Sequence, residues 1–361
     1  MRAGRLLTRS PAPSGTVAVV GTPLRIGIMG AGAIGCYVGG CLAAAGSDVI
    51  FVGRERLKTE LEVSGLTVAG LHGERARTVP KDKLVFATDL SALADRDIVL
   101  VCVKSAQSEE AAEQLAAVLS PKTIVVSMQN GVRNANVLRA GLPGIAVQGG
   151  IVGFNVVSKE NGTFRQATTG PLVIEASSDT RVAQLGARLA TTGLDVVITG
   201  DIKPLQWSKL VMNLNNAVSA LTDQPTKELL FGDGYRKSLA AIMEEAVVVL
   251  RASRTPTARL GPLPIRLFPF ILRLPAPLLR VLASAQVKVD PEARSSMWED
   301  LARGRKTEVD YLNGEIVLLA EKSGMKAPLN ARIVDLIHAV EVAGKGSPKL
   351  SADQLWSALT A

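Results

Sequence analysis

The sequence predicts an α/β chain, with an N-terminal doubly wound parallel sheet followed by an all-helical domain. Three observations predict it. A glycine-rich turn, Gly30-Ala31-Gly32-Ala33-Ile34-Gly35, stands directly behind the apolar run Ile26-Gly27-Ile28-Met29. Short apolar runs then alternate with helix-compatible stretches as far as Ile198. Beyond Pro204 the apolar spacing turns helical and stays so.

Strand, tight turn and helix start, in that order, are what a dinucleotide pyrophosphate requires. The first glycine makes the turn and the second lets the backbone approach the phosphates. The third lets the helix pack close to the strand, and the helix N-terminus faces the charge. The motif alone is weak evidence, but its context supports it. Cys36 to Ala45 is rich in Ala and Gly, Gly46 ends that helix, and Asp48-Val49-Ile50-Phe51-Val52 reads as a second strand. This is a Rossmann-type pattern, with Gly30, Ala31, Gly32, Ala33, Ile34 and Gly35 as cofactor contacts. The second strand runs into Gly53-Arg54-Glu55-Arg56. Arg54 falls where a planar guanidinium could pair with a 2′-phosphate. Glu55 could instead bond a ribose hydroxyl, which keeps NAD open, and the plainer reading of both arginines is a solvated loop. NADPH is the favoured cofactor.

Further strands follow at Asp97–Val103, Thr123–Met128, Ile145–Val147, Leu172–Glu175 and Asp195–Ile198, with a helix across 106–119. Helical periodicity then covers Asn213–Leu221, Ser238–Leu250, Ser295–Ala302 and Glu308–Lys322. The expected division is a dinucleotide-binding domain over 24–201 and a helical substrate domain over 202–361, with the active site between them. Residues 1–23 carry three arginines and no acid, and lack a long apolar core. A transit peptide is conceivable, and the missing apolar core argues against a secretory signal. A disordered extension or a misplaced start is the preferred reading.

At 361 residues and 47% apolar content the chain has material for two cores. A net charge of +8 suits an anionic cofactor and an acidic substrate. Aromatics are only 4%, and no basic run interleaves with them, which argues against nucleic acid. Cys36, Cys41 and Cys102 are odd in number and form no CxxC, so free buried thiols in a reducing, cytoplasmic compartment are expected. No metal-ligand spacing is present. The segment 255–279 holds six prolines among Leu, Ile and Phe, too many interruptions for a membrane span. It could be a lid, a homodimer contact or a membrane-surface patch, and a packed irregular connection is preferred.

Strand ends offer the chemistry. Lys104-Ser105 follows one strand and Gln129-Asn130-Gly131 another, both at the edge where open α/β sheets bind ligands. In the helical region, Lys209 and Asn213 stand four apart on one helix face. Ser295-Ser296-Met297 and Thr307-Glu308-Val309-Asp310-Tyr311 come later. Hydride delivery to a carbonyl leaves an alkoxide that needs a proton. The two histidines, His72 and His338, lie away from any polar constellation, so a desolvated Lys209 is the best acid. Plainer readings exist: Lys209 on a helix surface, Glu308 in a surface ion pair, Ser296 as a helix cap, Asn130 in an Asn-Gly turn.

Over 24–332 these motifs resemble the ketopantoate reductase family. The resemblance rests on Gly30–Gly35, Arg54, Val103-Lys104-Ser105, Gln129-Asn130-Gly131 and Trp207-x-Lys209-x-x-x-Asn213. It rests also on Ser295-Ser296-Met297-x-x-Asp300, on Thr307-Glu308-x-Asp310-Tyr311-x-Asn313-Gly314 and on Pro328-x-Asn330. It implies reduction of ketopantoate to pantoate with NADPH, on the route to pantothenate and coenzyme A. By that resemblance Lys209 protonates the new alkoxide, and Glu308 interacts with the lysine and the substrate. Asn213 and Ser296 would hold substrate hydroxyl and carboxylate groups, Lys104 and Asn130 would lie where cofactor and substrate meet, and Arg54 would contact the 2′-phosphate. One departure is Ala217, where the family often has a second Asn. The rival readings are a reductase of another 2-oxo acid, a 3-hydroxyacid or polyol-phosphate dehydrogenase, and an NADP-binding regulator without turnover.

Overall fold

The structure, a computed structural model, describes residues 23–232, 234–259, 263–275, 277–279 and 294–361. The expected extension therefore lies, but for Pro23, outside the described residues.

An eight-stranded sheet runs through the first half. Its strands are β1 (Arg25–Met29), β2 (Asp48–Val52), β5 (Val85–Ala87), β6 (Ile98–Val101), β7 (Ile124–Ser127), β8 (Ala146–Val152), β11 (Leu172–Glu175) and β12 (Val196–Thr199), in the order β12-β11-β8-β7-β6-β1-β2-β5. β6 and β7 are buried along their whole length, as their unbroken apolar runs require of strands covered on both faces. Alternate residues part to the two sides. Ile98 and Leu100 join the core beneath helices α1 (Ala33–Ala44) and α5 (Thr180–Thr191), while Val99 and Val101 join the core beneath α3 (Ser108–Ala116) and α4 (Asn134–Gly141).

Two features depart from the expected all-parallel pattern. β8 and β11 pair antiparallel. No helix separates them, so nothing carries the chain back across the sheet for a parallel return. The intervening residues instead form β9 (Val156–Ser158) and β10 (Thr163–Gln166), which join β3 (Leu66–Ala69) and β4 (Arg77–Val79) in a second, four-stranded sheet. These strands have only three or four residues each, too short for a clear period in the sequence.

From Lys203 onward the described elements are helical. Helix α6 (Lys203–Asn213) leads directly into α7 (Asn215–Thr222), then α8 (Thr226–Phe231) and the long α9 (Arg236–Ala252). α10 (Phe268–Leu272), α11 (Ser296–Ala302), α12 (Asn313–Lys322), α13 (Pro328–Ala343) and α14 (Ala352–Thr360) complete a separate core around Val218, Met243, Ile316 and Ile333. The expected single helix over Glu308–Lys322 breaks at Leu312 into a short 3-10 turn and α12. In the proline-rich segment, Ile265 and Leu272 are buried in this core while Phe270 stays 59% exposed. Among the described residues no helix is long and apolar enough to cross a membrane.

The sheet order reverses direction between β1 and β6. Chains leaving those two strands part to opposite faces and open a crevice at their carboxyl ends, the usual ligand position.

Candidate active site

The glycine turn sits in that crevice. Gly30 has φ +92°, and a Cβ there would lie 2.8 Å from the backbone nitrogen of Val103, on the segment following β6. Gly35 is closer still to its surroundings, because a Cβ would lie 2.4 Å from the Gly30 carbonyl oxygen and 2.9 Å from Ile28. Gly32 is the opposite case, exposed and with nothing within 4 Å of where its Cβ would stand. The first hydrogen bond of α1 runs from Cys36 N–H to the Gly32 carbonyl, 2.8 Å. The N–H groups of Ala33, Ile34 and Gly35 are thus the open N-terminal donors, with no side-chain cap and no acid in the first turn. Open space over Gly32, free donors and a positive helix end fit a pyrophosphate. Arg54 follows β2, exposed and without an ion pair among the described residues. Glu55 opens α2 (Glu55–Ser64) and faces Lys58 at 3.6 Å on that helix's surface.

The catalytic candidates converge one strand further along. Lys209 Nζ donates to Asn130 Oδ1 at 3.0 Å, and Asn130 Nδ2 donates to Glu308 Oε2 at 3.1 Å. The orientation of that carboxamide is dictated by its neighbours, since an ammonium only donates and a carboxylate only accepts. Glu308 is 8% exposed, and its other oxygen accepts from Ser105 N–H at 3.0 Å and from Ser105 Oγ at 2.8 Å. It makes no ion pair among the described residues. Asn134 Nδ2 donates to Ser105 Oγ at 3.0 Å and also to the Asn130 carbonyl, which fixes both loops from behind. Burial drives Lys209 down to about 8, against an opposing pull from Glu308. The residue as a whole is half-buried, and the desolvation it feels outweighs the attraction of the carboxylate. Only one of its three N–H donors has a protein acceptor among the described residues.

Lys209 lines a cavity of about 10 Å³, room for one water. Asn130 and Gly131 wall it from the sheet side, and Gln206 and Asn213 from α6. Among the described residues, no group of His, Cys, Asp and Glu is arranged to hold a metal ion.

The structure thus brings Lys209, Asn130, Glu308 and Asn213 together, although Lys209 and Glu308 meet through Asn130 instead of touching. Lys104 stands at the same edge and pairs with buried Asp300, which also takes Arg305 at 3.2 Å. Ser296 is exposed at the first position of α11, and the cap is Ser295, whose Oγ accepts from Trp298 N–H at 3.1 Å. Residue-level reading missed the clamp that Ser105 places on Glu308, the support from Asn134, and Gln206. Only Gln206 left a signal, standing three before Lys209 on the same helix face.

Comparison with known proteins identifies the family. The family model described as ketopantoate reductase PanE/ApbA matches residues 26–179, and that of its C-terminal region matches 201–341. A 2-dehydropantoate 2-reductase of Archaeoglobus fulgidus is 32% identical over 326 residues, covering 88% of this chain and 98% of the relative. A PanE/ApbA family ketopantoate reductase structure from Ralstonia eutropha JMP134 superposes with a TM-score of 0.75 at 32% identity, over 89% of this chain and all of that one. A D-mandelate dehydrogenase solved with NADH and anilino(oxo)acetate shares the fold at a TM-score of 0.71 and 21% identity, over 89% of this chain and 99% of that one. With both family models matched and a relative this similar along nearly its whole length, the chain belongs to the ketopantoate reductase family of oxidoreductases.

Proposed function

We propose that the protein reduces 2-dehydropantoate to pantoate with NADPH, and that Lys209 is the general acid. The single observation that carries this is the desolvated Lys209 ammonium, held by Asn130 and with two donors unmet among the described residues, on a residue that lines a small cavity. The family to which the chain belongs supports the substrate. Residues 24–201 would bind the dinucleotide and 202–361 would complete the substrate site.

Bound over Gly32 and the first turn of α1, the cofactor would supply a hydride to the keto carbon. The chain does the rest. Lys209 gives a proton to the carbonyl oxygen as negative charge develops there. A lysine at about 8 is still mostly protonated near neutrality and is a stronger acid than a solvated one. Glu308 holds Asn130, and Asn130 aims the ammonium. Asn213 and Ser296 would take the substrate's polar groups, while Lys104 would mark the border with the cofactor. The buried thiols of Cys36 and Cys41 fit the reducing environment of a cytoplasmic enzyme.

The direct test follows NADPH absorbance with ketopantoate, beside NADH and a panel of other 2-oxo acids. Fast, NADPH-selective turnover of ketopantoate is expected. Preference for another 2-oxo acid would overturn the substrate but leave the chemistry, and no turnover at all would overturn both.

Cofactor choice has its own prediction. Arg54 is exposed and unpaired among the described residues, free to meet a 2′-phosphate. A hydrogen-bonded charge pair of this kind is worth about 1.5–3 kcal/mol. Arg54→Ala should therefore raise KM for NADPH by about tenfold to a hundredfold and barely move KM for NADH. An equal rise for both would show that Arg54 does not read the phosphate.

A further inference from the structure

We propose that Gln206 is a specificity-determining residue, reading a hydroxyl group on the substrate away from the reacting carbonyl. This rests on the reading of the site as one for 2-oxo acid reduction. Gln206 is 6% exposed and lines the same cavity as Lys209. Its Oε1 is buried and has no hydrogen-bond partner among the described residues. A buried carboxamide without a partner destabilises the fold, and a leucine in its place would not. Such a group is kept where a ligand completes it.

The helix shows the same design. Gln206, Lys209 and Asn213 stand at i, i+3 and i+7 of α6 and share one face. That face meets the sheet at Gly149, where a Cβ would lie 3.4 Å from Gln206 Nε2, and Gly150 lines the same cavity as Gln206. Gln206 and Asn213 therefore flank the acid along one wall, one turn to either side. A substrate whose carbonyl oxygen takes the Lys209 proton must present its neighbouring substituents to one or both of them.

The chemistry of the amide selects the class of substituent. Oε1 needs a donor, and the amide nitrogen needs an acceptor. A hydroxyl serves either end. A methyl serves neither, and a carboxylate cannot donate to Oε1. The ligand group is thus a hydroxyl on a 2-oxo acid, seated in a space the size of one water. A site built to bond a hydroxyl discriminates against the analogue that lacks it, because its own polar group is then left unpaired.

The experiment compares two substrates, ketopantoate and its deoxy analogue 3,3-dimethyl-2-oxobutanoate, in wild type and in Gln206→Leu and Gln206→Asn. Wild type should favour the hydroxylated acid by about tenfold or more in kcat/KM. Gln206→Leu should shrink that ratio at least tenfold, chiefly by losing the hydroxylated substrate. Gln206→Asn, which keeps the amide but shortens its reach, should shrink it less. An unchanged ratio in Gln206→Leu, with both rates falling together, would overturn the assignment and make Gln206 a structural residue completed by water. If Gln206→Leu does not fold, the Asn variant decides alone, and an unchanged ratio there would overturn it. Failure of wild type to reduce either acid would instead overturn the reading of the site, a result the substrate ratio cannot mimic.

Discussion

Lys209→Ala should lower kcat for keto acid reduction by about a hundred- to ten-thousandfold, the range that loss of a positioned proton donor produces. Dinucleotide affinity should hardly change, because the glycine turn and Arg54 lie on other elements. Cofactor titration by fluorescence beside steady-state kinetics would separate the two. The same residue sets a pH signature. Reduction needs the ammonium, so its rate should fall as pH rises through about 8, where Lys209 loses its proton. Oxidation of the hydroxy acid needs the free amine and should rise over the same interval. Near-normal turnover in Lys209→Ala would sink the mechanism. A reduction rate that stays flat across that interval, with chemistry rate-limiting, would remove Lys209 as the acid.

The second large effect is at the turn. Gly35→Ala puts a Cβ 2.4 Å from a backbone oxygen that cannot move without opening the turn itself. Overpacking of this kind costs about 1–3 kcal/mol. Cofactor affinity should drop tenfold or more, since the donors of Ala33 and Ile34 shift with α1, and Tm should fall as well. Gly32→Ala is the informative contrast. Its Cβ would meet nothing within 4 Å, so Tm should hold while cofactor affinity falls. Unaltered affinity in Gly32→Ala would show that no phosphate approaches there.

Much of the first half was legible because it is local. Strand, glycine turn and helix are consecutive, and β6 and β7 read as buried because Ile98–Val101 and Ile124–Ser127 are apolar at nearly every position. The small sheet was not legible, since its pairing joins Thr67 to Thr163 across about a hundred residues of intervening chain. At the site, Lys209 and Asn213 could be placed on one helix face from spacing alone. The contact between Ser105 and Glu308 could not, because it spans 203 positions and depends on how the helical core rests against the sheet. The choice between Ser295 and Ser296 as the cap turned on one residue of helix boundary, which spacing does not fix.

Asn130 stands between an ammonium and a carboxylate and belongs to neither. A lysine in direct contact with Glu308 would hold its proton more tightly, because the ion pair stabilises the charged form. The carboxamide acts as an insulator. It links the position of Glu308 to that of Lys209 while keeping the ammonium and the carboxylate from sharing a proton directly. Asn130 can neither accept that proton as a carboxylate would nor donate one as a second ammonium would, so if Lys209 is the acid, as proposed, its proton would leave by the side away from Asn130.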